Sequence, residues 1–312
     1  MPVSSLKERI RRAVLESGFD LCGFTDASPV SKEIVAYYQD WLQAGNRGYL
    51  DYMERNFEKR VNPSLLVEGA KTVIIAAINY FPAQRQTSNF HIAKYAYGKD
   101  YHHVIKQKLS NTIKQIPELK QSKSLRIFTD SAPVAERPLA VRAGLGFIGK
   151  NNLLIVPGRG SYFFLGEIFT DLEIEPDSSF SKHLCGSCTR CLDACPAKAL
   201  EKPFTLNMQR CISFQTNANK NDAVICMEKT SRYKWIYGCD ICIDVCPWNR
   251  FAKPSKDLDF TPNTEMLALK DNDWETLDET SFNKIFSKSA LKHTGFAKLK
   301  GNIDAWKAIN GK

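Results

Sequence analysis

Cys185-Gly186-Ser187-Cys188-Thr189-Arg190-Cys191-Leu192-Asp193-Ala194-Cys195-Pro196 carries four cysteines in twelve residues. The C-x2-C-x2-C-x3-C-P spacing lets three thiolates wrap one iron–sulfur cubane while the fourth, a helical turn further on, reaches a different one. The proline then stops the chain from folding back into the cluster. A second run, Cys239-x2-Cys242-x3-Cys246-Pro247, repeats the tail of the first but has Tyr237 and Gly238 where a leading cysteine would stand. Cys211 is the obvious donor of the missing ligand. The crossed assignment is Cys185, Cys188, Cys191 and Cys246 for one four-iron cluster and Cys195, Cys211, Cys239 and Cys242 for the other. Zinc is the competing reading, because paired C-x2-C motifs also make structural sites, but zinc sites seldom use this run. Cys22 and Cys226 are left over and read as small buried hydrophobes.

Nine of the ten cysteines lie between Cys185 and Cys246, in a proline-broken stretch with little alternating apolar pattern. Its order must come mainly from what the thiolates hold. About 180 residues precede it, far more than an electron carrier needs, so something upstream should consume the electrons. There helical and strand signals alternate. Ser5 to Glu8 forms a capping box, and Leu6, Ile10, Ala13 and Val14 recur at helical spacing up to Gly18. Further amphipathic helices are predicted from Lys32 to Ala44 and from His103 to Ile116. Strands are predicted over Thr72 to Tyr80, Ser124 to Thr129, Leu153 to Val156 and Tyr162 to Phe169, all rich in β-branched and aromatic residues. The alternation predicts an α/β domain over residues 1–178, then a ferredoxin-like double-cluster module over 179–252 and a short helical C-terminal segment over 253–312. That segment splits by charge: Asp257 to Glu279 has eight acidic residues and one lysine, and Ser281 to Lys312 has seven lysines and one aspartate.

The 312 residues, 43% hydrophobic and 25% charged, have the composition of a soluble globular protein, which argues against disorder and coiled coils. The longest apolar run, Val73 to Ile78, is far short of the roughly 20 residues that span a bilayer. Charges in every turn of the N-terminal segment break any secretion-signal pattern, so the expected location is the cytoplasm, with no membrane partner. Thiols stay reduced there, which turns ten cysteines into candidates for metal binding rather than disulfides. The net charge of +9 suits a phosphate-rich partner, with a general solubility surplus as the plainer alternative.

Several motifs fail on context. Gly144-Leu145-Gly146-Phe147-Ile148-Gly149 fits G-x-G-x-x-G but follows a helix-like segment, Glu136 to Ala143, where a dinucleotide site needs a strand. With Lys150 the same residues nearly make a phosphate loop, yet Asn151 replaces the magnesium-holding Ser or Thr. A glycine-rich helix exit is the better reading. Asp100-Tyr101-His102 opens like the D-x-H-x-x-G signature of histidine-ligated cobalt, but position 105 is isoleucine. Asp130 stands directly after the strand Ser124 to Thr129, at the carboxyl end, where α/β sheets meet their ligands. The plainer reading is an N-cap for a helix starting near Pro133.

GKDYH (Gly98 to His102), TDSAPVAER (Thr129 to Arg137), AGLGFIGKN (Ala143 to Asn151), CGSCTRCLDACPAKAL (Cys185 to Leu200), RCISF (Arg210 to Phe214) and YGCDICIDVCPWN (Tyr237 to Asn249) together resemble the epoxyqueuosine reductase family. The resemblance covers most of residues 1–250. It implies an N-terminal α/β domain holding base-off cobalamin without a protein ligand to cobalt. It implies two 4Fe–4S clusters that relay electrons from an external donor of flavodoxin or ferredoxin type. The implied substrate is the tRNA anticodon stem-loop carrying epoxyqueuosine, and the product is queuosine at the wobble position. By motif, Asp130 resembles the proton donor, and Arg60 in EKRVNP, Asp130, Arg137 and Ser213 in RCISF resemble cobalamin contacts. Such an acid needs a raised pKa, which a buried site beside an apolar corrin face would provide. Many members end in a helical repeat domain, and the residues after position 252 are too few for one, so the expectation is a short form.

Two other classes compete. A corrinoid reductive dehalogenase-like enzyme shares the domain order, and a ferredoxin-type carrier needs no corrinoid and turns nothing over. The basic end, through Lys292, Lys298 and Lys300, is expected to meet tRNA phosphates, with the loop from Asn217 to Asn221 as the alternative surface.

Overall fold

The computed structural model describes residues 4–218 and 234–310; Cys226 and positions 219–221 of the loop after Asn217 lie outside the described residues. The first half contains α1 (Leu6–Glu16), β1 (Leu21–Asp26), α2 (Lys32–Gln43), β2 (Thr72–Asn79), α3 (Tyr101–Gln115), β3 (Arg126–Phe128), α4 (Glu136–Arg142) and β4 (Phe163–Thr170). The capping box that opens α1 is present: the Ser5 hydroxyl accepts from the Glu8 N–H, and the Glu8 carboxylate accepts from the Ser5 N–H.

The strands run β1-β2-β4-β3 across one sheet, and each of its pairs is antiparallel. This corrects the α/β part of the expectation: the domain is α+β around an antiparallel sheet. Alternating helices and strands suggest returning parallel strands, but strand direction depends on where each connection lands, and no local pattern records that. The same sequence reading overlooked β1, whose Cys22-Gly23 and terminal Asp26 blur its apolar pattern. Gly23 is required there, because a Cβ would stand 2.3 Å from the Ala143 carbonyl oxygen, where the end of α4 presses on the strand.

The central strand β2 is buried on both sides. Ile74, Ala76 and Ile78 join α1 and α3 in one core, while Val73, Ile75 and Ala77 join Leu139 and Ala140 of α4 in another. The exit of α4 is a Schellman turn, with Leu145 N–H donating to Ala140 O and Gly144 N–H to Val141 O, both at 3.0 Å, and Gly144 at φ +78°. The glycine-rich stretch is therefore a helix exit.

A third core joins distant stretches. Phe90, Ile92 and Tyr97 pack with Ile236 and Tyr237 and with Trp274, Phe282, Phe286 and Ile303 of the C-terminal helices. The C-terminal segment is helical as expected, but it shares this core rather than standing apart. Two of its lysines differ in setting: Lys300 Nζ donates to the Glu275 carbonyl at 2.8 Å and pairs with Asp304 at 3.1 Å, while Lys292 is exposed. No described helix is long and apolar enough to cross a membrane.

Candidate active site and thiol clusters

The loop after β3 delivers Asp130. Thr129 Oγ1 donates to the Leu165 carbonyl at 2.7 Å, tying the loop to β4, and Asp130 turns away at φ +53°. Its N–H donates to Glu136 Oε1 at 2.5 Å. Helix α4 starts at Glu136, behind Ala135 and without a side-chain cap, so the N-cap reading of Asp130 is overturned. A left-handed aspartate that caps nothing is a backbone cost kept for another purpose.

The carboxylate meets two groups from α3. Tyr101 OH donates to Asp130 Oδ2, and His102 Nε2 lies 3.5 Å from the same oxygen. The His102 ring is held from behind, with Nδ1 2.8 Å from Asp100 Oδ1. Asp100 is also the N-cap of α3, accepting from the His102 N–H at 3.0 Å, and its second oxygen lies 2.6 Å from His293 Nε2. The Tyr101 ring is stacked between His102 and Phe164, with centroids 4.0 and 4.4 Å away.

Charge placement follows. Burial raises the Asp100 carboxyl, but hydrogen bonds from His102 and His293 more than offset it and hold the group well below the usual range. Burial lowers the His102 ring, but the hydrogen bonds and charges of Asp100 and Asp130 push it up to about 9. Asp130 is raised by burial and lowered further by His102 and Tyr101, so its net shift is downward. The protein groups around it therefore do not produce the raised pKa expected of a donor acid. The raised carboxyls lie behind it: burial and the Asp130 charge push Glu136 up to about 7. Glu167, fully buried on β4 with neither oxygen bonded to a described group, is pushed well above its usual value by burial and by those two charges. The Asp130 side chain is 60% exposed, so its carboxylate can be reached from solvent.

Arg60 and Arg137 lie near these groups, and both act on the charges of Glu136 and Tyr38. Arg60 is buried, donating from Nη1 to the Val134 carbonyl at 3.4 Å, and its Nε has no partner among the described residues. Arg137 is exposed and forms no ion pair among the described residues. The Ser213 N–H points to the Cys211 sulfur, and no hydrogen bond or ion pair among the described residues links it to Asp130.

The thiols fall into two groups. Cys191 feels Cys185 and Cys246, and Cys246 feels Cys185 and Cys188. Cys211, Cys239 and Cys242 each feel Cys195, and Cys239 and Cys242 also feel Cys211. This is the grouping that crossed ligation needs. Burial, then neighbouring thiols, pushes Cys239 and Cys242 well above the normal thiol range. Four thiols gathered this closely ionise together only around a cation, so the donor set fits an iron–sulfur cluster. Cys22 is buried, and burial raises its thiol to about 12, as expected of an inert hydrophobe.

Sequence reading missed the joint between the two parts. Lys150 Nζ donates to the carbonyls of Gly186 at 2.7 Å and Cys188 at 2.9 Å, and Asn151 Nδ2 donates to the Cys242 carbonyl at 3.2 Å. The near-miss phosphate loop thus clamps both cysteine loops. Tyr101, His102, Glu136 and Glu167 were also missed as site residues, although the first two lie in GKDYH and the third in TDSAPVAER.

Residues 60–131 match a family model described as epoxyqueuosine reductase QueG, DUF1730, and residues 184–249 match a 4Fe-4S double cluster binding domain. The epoxyqueuosine reductase of Cellulophaga algicola is 41% identical over 297 residues, covering 95% of this chain and 96% of its own. That of Pseudomonas aeruginosa is 35% identical, covering 92% and 81%. A crystal structure of epoxyqueuosine reductase with an epoxyqueuosine-modified tRNA-Tyr stem loop superposes with a TM-score of 0.84 at 29% identity, covering 97% of this chain and 81% of that one. The Bacillus subtilis enzyme, with its catalytic aspartate loop swung out of the active site, gives 0.84 at 30% identity, covering 97% and 81%.

Proposed function

The chain belongs to the epoxyqueuosine reductase family, and from that premise we propose that it reduces epoxyqueuosine to queuosine at the wobble position of tRNA, the last step in making that nucleoside. The carrying observation is the 41% identity over 95% of the chain to a relative of that name. It favours this reading over a dehalogenase or a simple electron carrier.

In the net reaction both carbon–oxygen bonds of the epoxide break, an alkene forms, two electrons and two protons are taken up, and the oxygen leaves as water. The protein must therefore hold an electron source and an acid. Cobalamin, when bound, supplies a reduced cobalt centre able to deliver electrons to the substrate. The residues near Asp130 fit such a group: Arg60 offers a buried, unpartnered N–H and Arg137 an exposed guanidinium, donors suited to a corrinoid rich in amides and carrying a phosphate. Arg60, Asp130 and Arg137 would hold it, base-off and without a protein ligand to cobalt. Ser213 joins them only if a group spans from the Cys211 loop to Asp130.

The two groups of four thiols would hold two 4Fe–4S clusters. The resulting division is a cobalamin domain over 1–178, the cluster module over 179–252 and a helical closure over 253–312. Reduction comes from an external flavodoxin- or ferredoxin-type donor. A cleft of about 840 Å³ beside Cys246, bordered by Arg85, Arg190 and Arg250 and also by Asp193 and Asp244, leaves a surplus of one positive charge and supports entry of an acidic carrier at the less buried group. Asp130 gives its proton to the departing epoxide oxygen. The tRNA anticodon loop is held through phosphates, with the modified base unstacked toward Asp130. The reaction takes place in the cytoplasm.

The test is incubation of anaerobically prepared protein with reductant, cobalamin and epoxyqueuosine-containing tRNA, followed by nucleoside mass spectrometry. Loss of one oxygen from the modified nucleoside is expected. No conversion by protein loaded with both clusters and cobalamin would overturn the proposal.

A further inference from the structure

The sequence reading assigned no role to His102 or His293, yet the fold brings both to one carboxylate beside Asp130. Asp100 and His293 are 193 positions apart and lie 2.6 Å from each other, so this contact is made only by closing the C-terminal segment onto α3. One oxygen of Asp100 takes His293, and the other takes Nδ1 of His102 at 2.8 Å. That leaves Nε2 of His102 free to face Asp130, whose Oδ2 is 3.5 Å away. Resting on the reading of Asp130 as the acid, we propose that His102 supplies the proton that Asp130 spends in each turnover, with Asp100 and His293 as positioning residues that fix its ring.

The step balances without electrons. The N–H bond at Nε2 breaks and an O–H bond forms at Asp130 Oδ2, so an imidazolium and a carboxylate become a neutral imidazole and a neutral carboxyl. Nδ1 keeps its proton on Asp100, which holds the tautomer just as the buried aspartate does in a Ser-His-Asp triad. Asp130 then loses that proton to the departing oxygen, and water restores Nε2, because the His102 side chain remains 25% exposed. Storing the proton on the histidine resolves the conflict in the site: Asp130, held low by His102 and Tyr101, is ionised at neutral pH, whereas His102 is charged there.

Other charges bear on the pair. Tyr101 donates to Asp130, Arg137 lowers it, and Glu136 accepts its N–H. Tyr52 and Tyr237 feel its charge, as does Glu167. His103 Nε2 stands 3.7 Å from Asp100. The positive end of α3 opposes a cationic ring, and the two carboxylates offset it.

The experiment is a single-turnover pH series on prereduced, cobalamin-loaded enzyme with epoxyqueuosine-containing tRNA. Wild type should hold its rate from pH 6 to 8 and lose it with a midpoint near 9. In His102→Gln, Asp130 must draw protons from water, so its rate should fall about tenfold per pH unit, about 100-fold from pH 6 to 8. Free imidazole should restore part of it. A wild-type profile in His102→Gln, with Asp130→Asn inactive, would overturn the relay and leave Asp130 as donor; an active Asp130→Asn would overturn both. Should His102→Gln prove inactive at every pH, an NMR titration of the ring in cluster-loaded wild type decides. A midpoint near 9 that falls in Asp100→Asn is expected, and an ordinary midpoint near 6.5 would overturn the proposal.

Discussion

Replacing Lys94 with methionine isolates the electrostatic joint between the first domain and the cysteine module. Lys94 Nζ lies 3.3 Å from Asp240 and 2.6 Å from Asp244, and the side chains of Lys94 and Asp240 are only 5% and 2% exposed. Asp240 sits between Cys239 and Ile241, so the pair also braces two thiols of the more buried group. Methionine keeps the stem and removes the charge. Asp240 then keeps only the Lys94 N–H at 2.7 Å, and Asp244 keeps the Tyr162 hydroxyl and solvent. Breaking a buried pair from one side costs about 3–5 kcal/mol, because the remaining charge stays buried without a partner. At roughly 2–3 °C per kcal/mol for a chain of this size, the midpoint of thermal unfolding should drop by about 6–15 °C. Burial already raises the Asp240 carboxyl against the pull of Lys94, and losing the lysine raises it further. A folded-state pKa above the unfolded one leaves stability intact below the ordinary aspartate pKa and removes it as pH rises. The deficit should therefore be larger at pH 8 than at pH 5, growing by up to about 1.4 kcal/mol per unit until the folded carboxyl has ionised. Adding Asp240→Asn should recover most of the loss. Anaerobic thermal unfolding of the cluster-loaded protein at both pH values, with iron measured alongside, reads all of this. A deficit below about 1 kcal/mol, or one that shrinks toward pH 8, would refute the account of a charge stranded by its partner.

Asp130→Asn should keep both clusters and cobalamin, by iron content and visible spectrum, while turnover falls by about 10²–10⁴-fold, since the amide keeps the shape without a transferable proton. Iron analysis of anaerobically purified protein should give about eight irons per chain, falling toward four in Cys211→Ala and staying unchanged in Cys22→Ala; stoichiometric zinc would remove the electron path altogether. The logarithmic salt slope of tRNA binding should drop by about one unit or less in Lys292→Gln, whose side chain is exposed. It should stay unchanged in Lys300→Gln, whose ammonium is already engaged by Glu275 and Asp304.

Cysteine spacing and apolar periodicity were legible in the sequence because both are local. Ligands two or three residues apart can close on one cluster whatever the rest of the chain does, so the two runs announced their chemistry and left a single vacancy for Cys211 to fill. The repeats of α1, α2, α3 and β2 likewise declare a buried face within a few turns, and the Ser5 to Glu8 capping box is complete within four residues. Strand direction was not legible, and neither was β1, because pairing energy depends on a partner far away: Gly23 makes sense only when Ala143 is pressed against it. The site divided along the same line. Asp130 could be singled out beside a strand end, but the direction of its pKa shift is set by burial, by His102 and Tyr101 on α3 and by Arg137 on α4, and the charge on His102 depends on carboxylates on both sides of it. Lys150 and Asn151 resembled a damaged phosphate loop until the cysteine loops came to lie against them. Sequence alone determined which ligands and helices could form, because those choices are settled within a few residues. Tertiary structure alone decided where protons and charges reside, because Coulomb energy and desolvation depend on distance in space rather than along the chain.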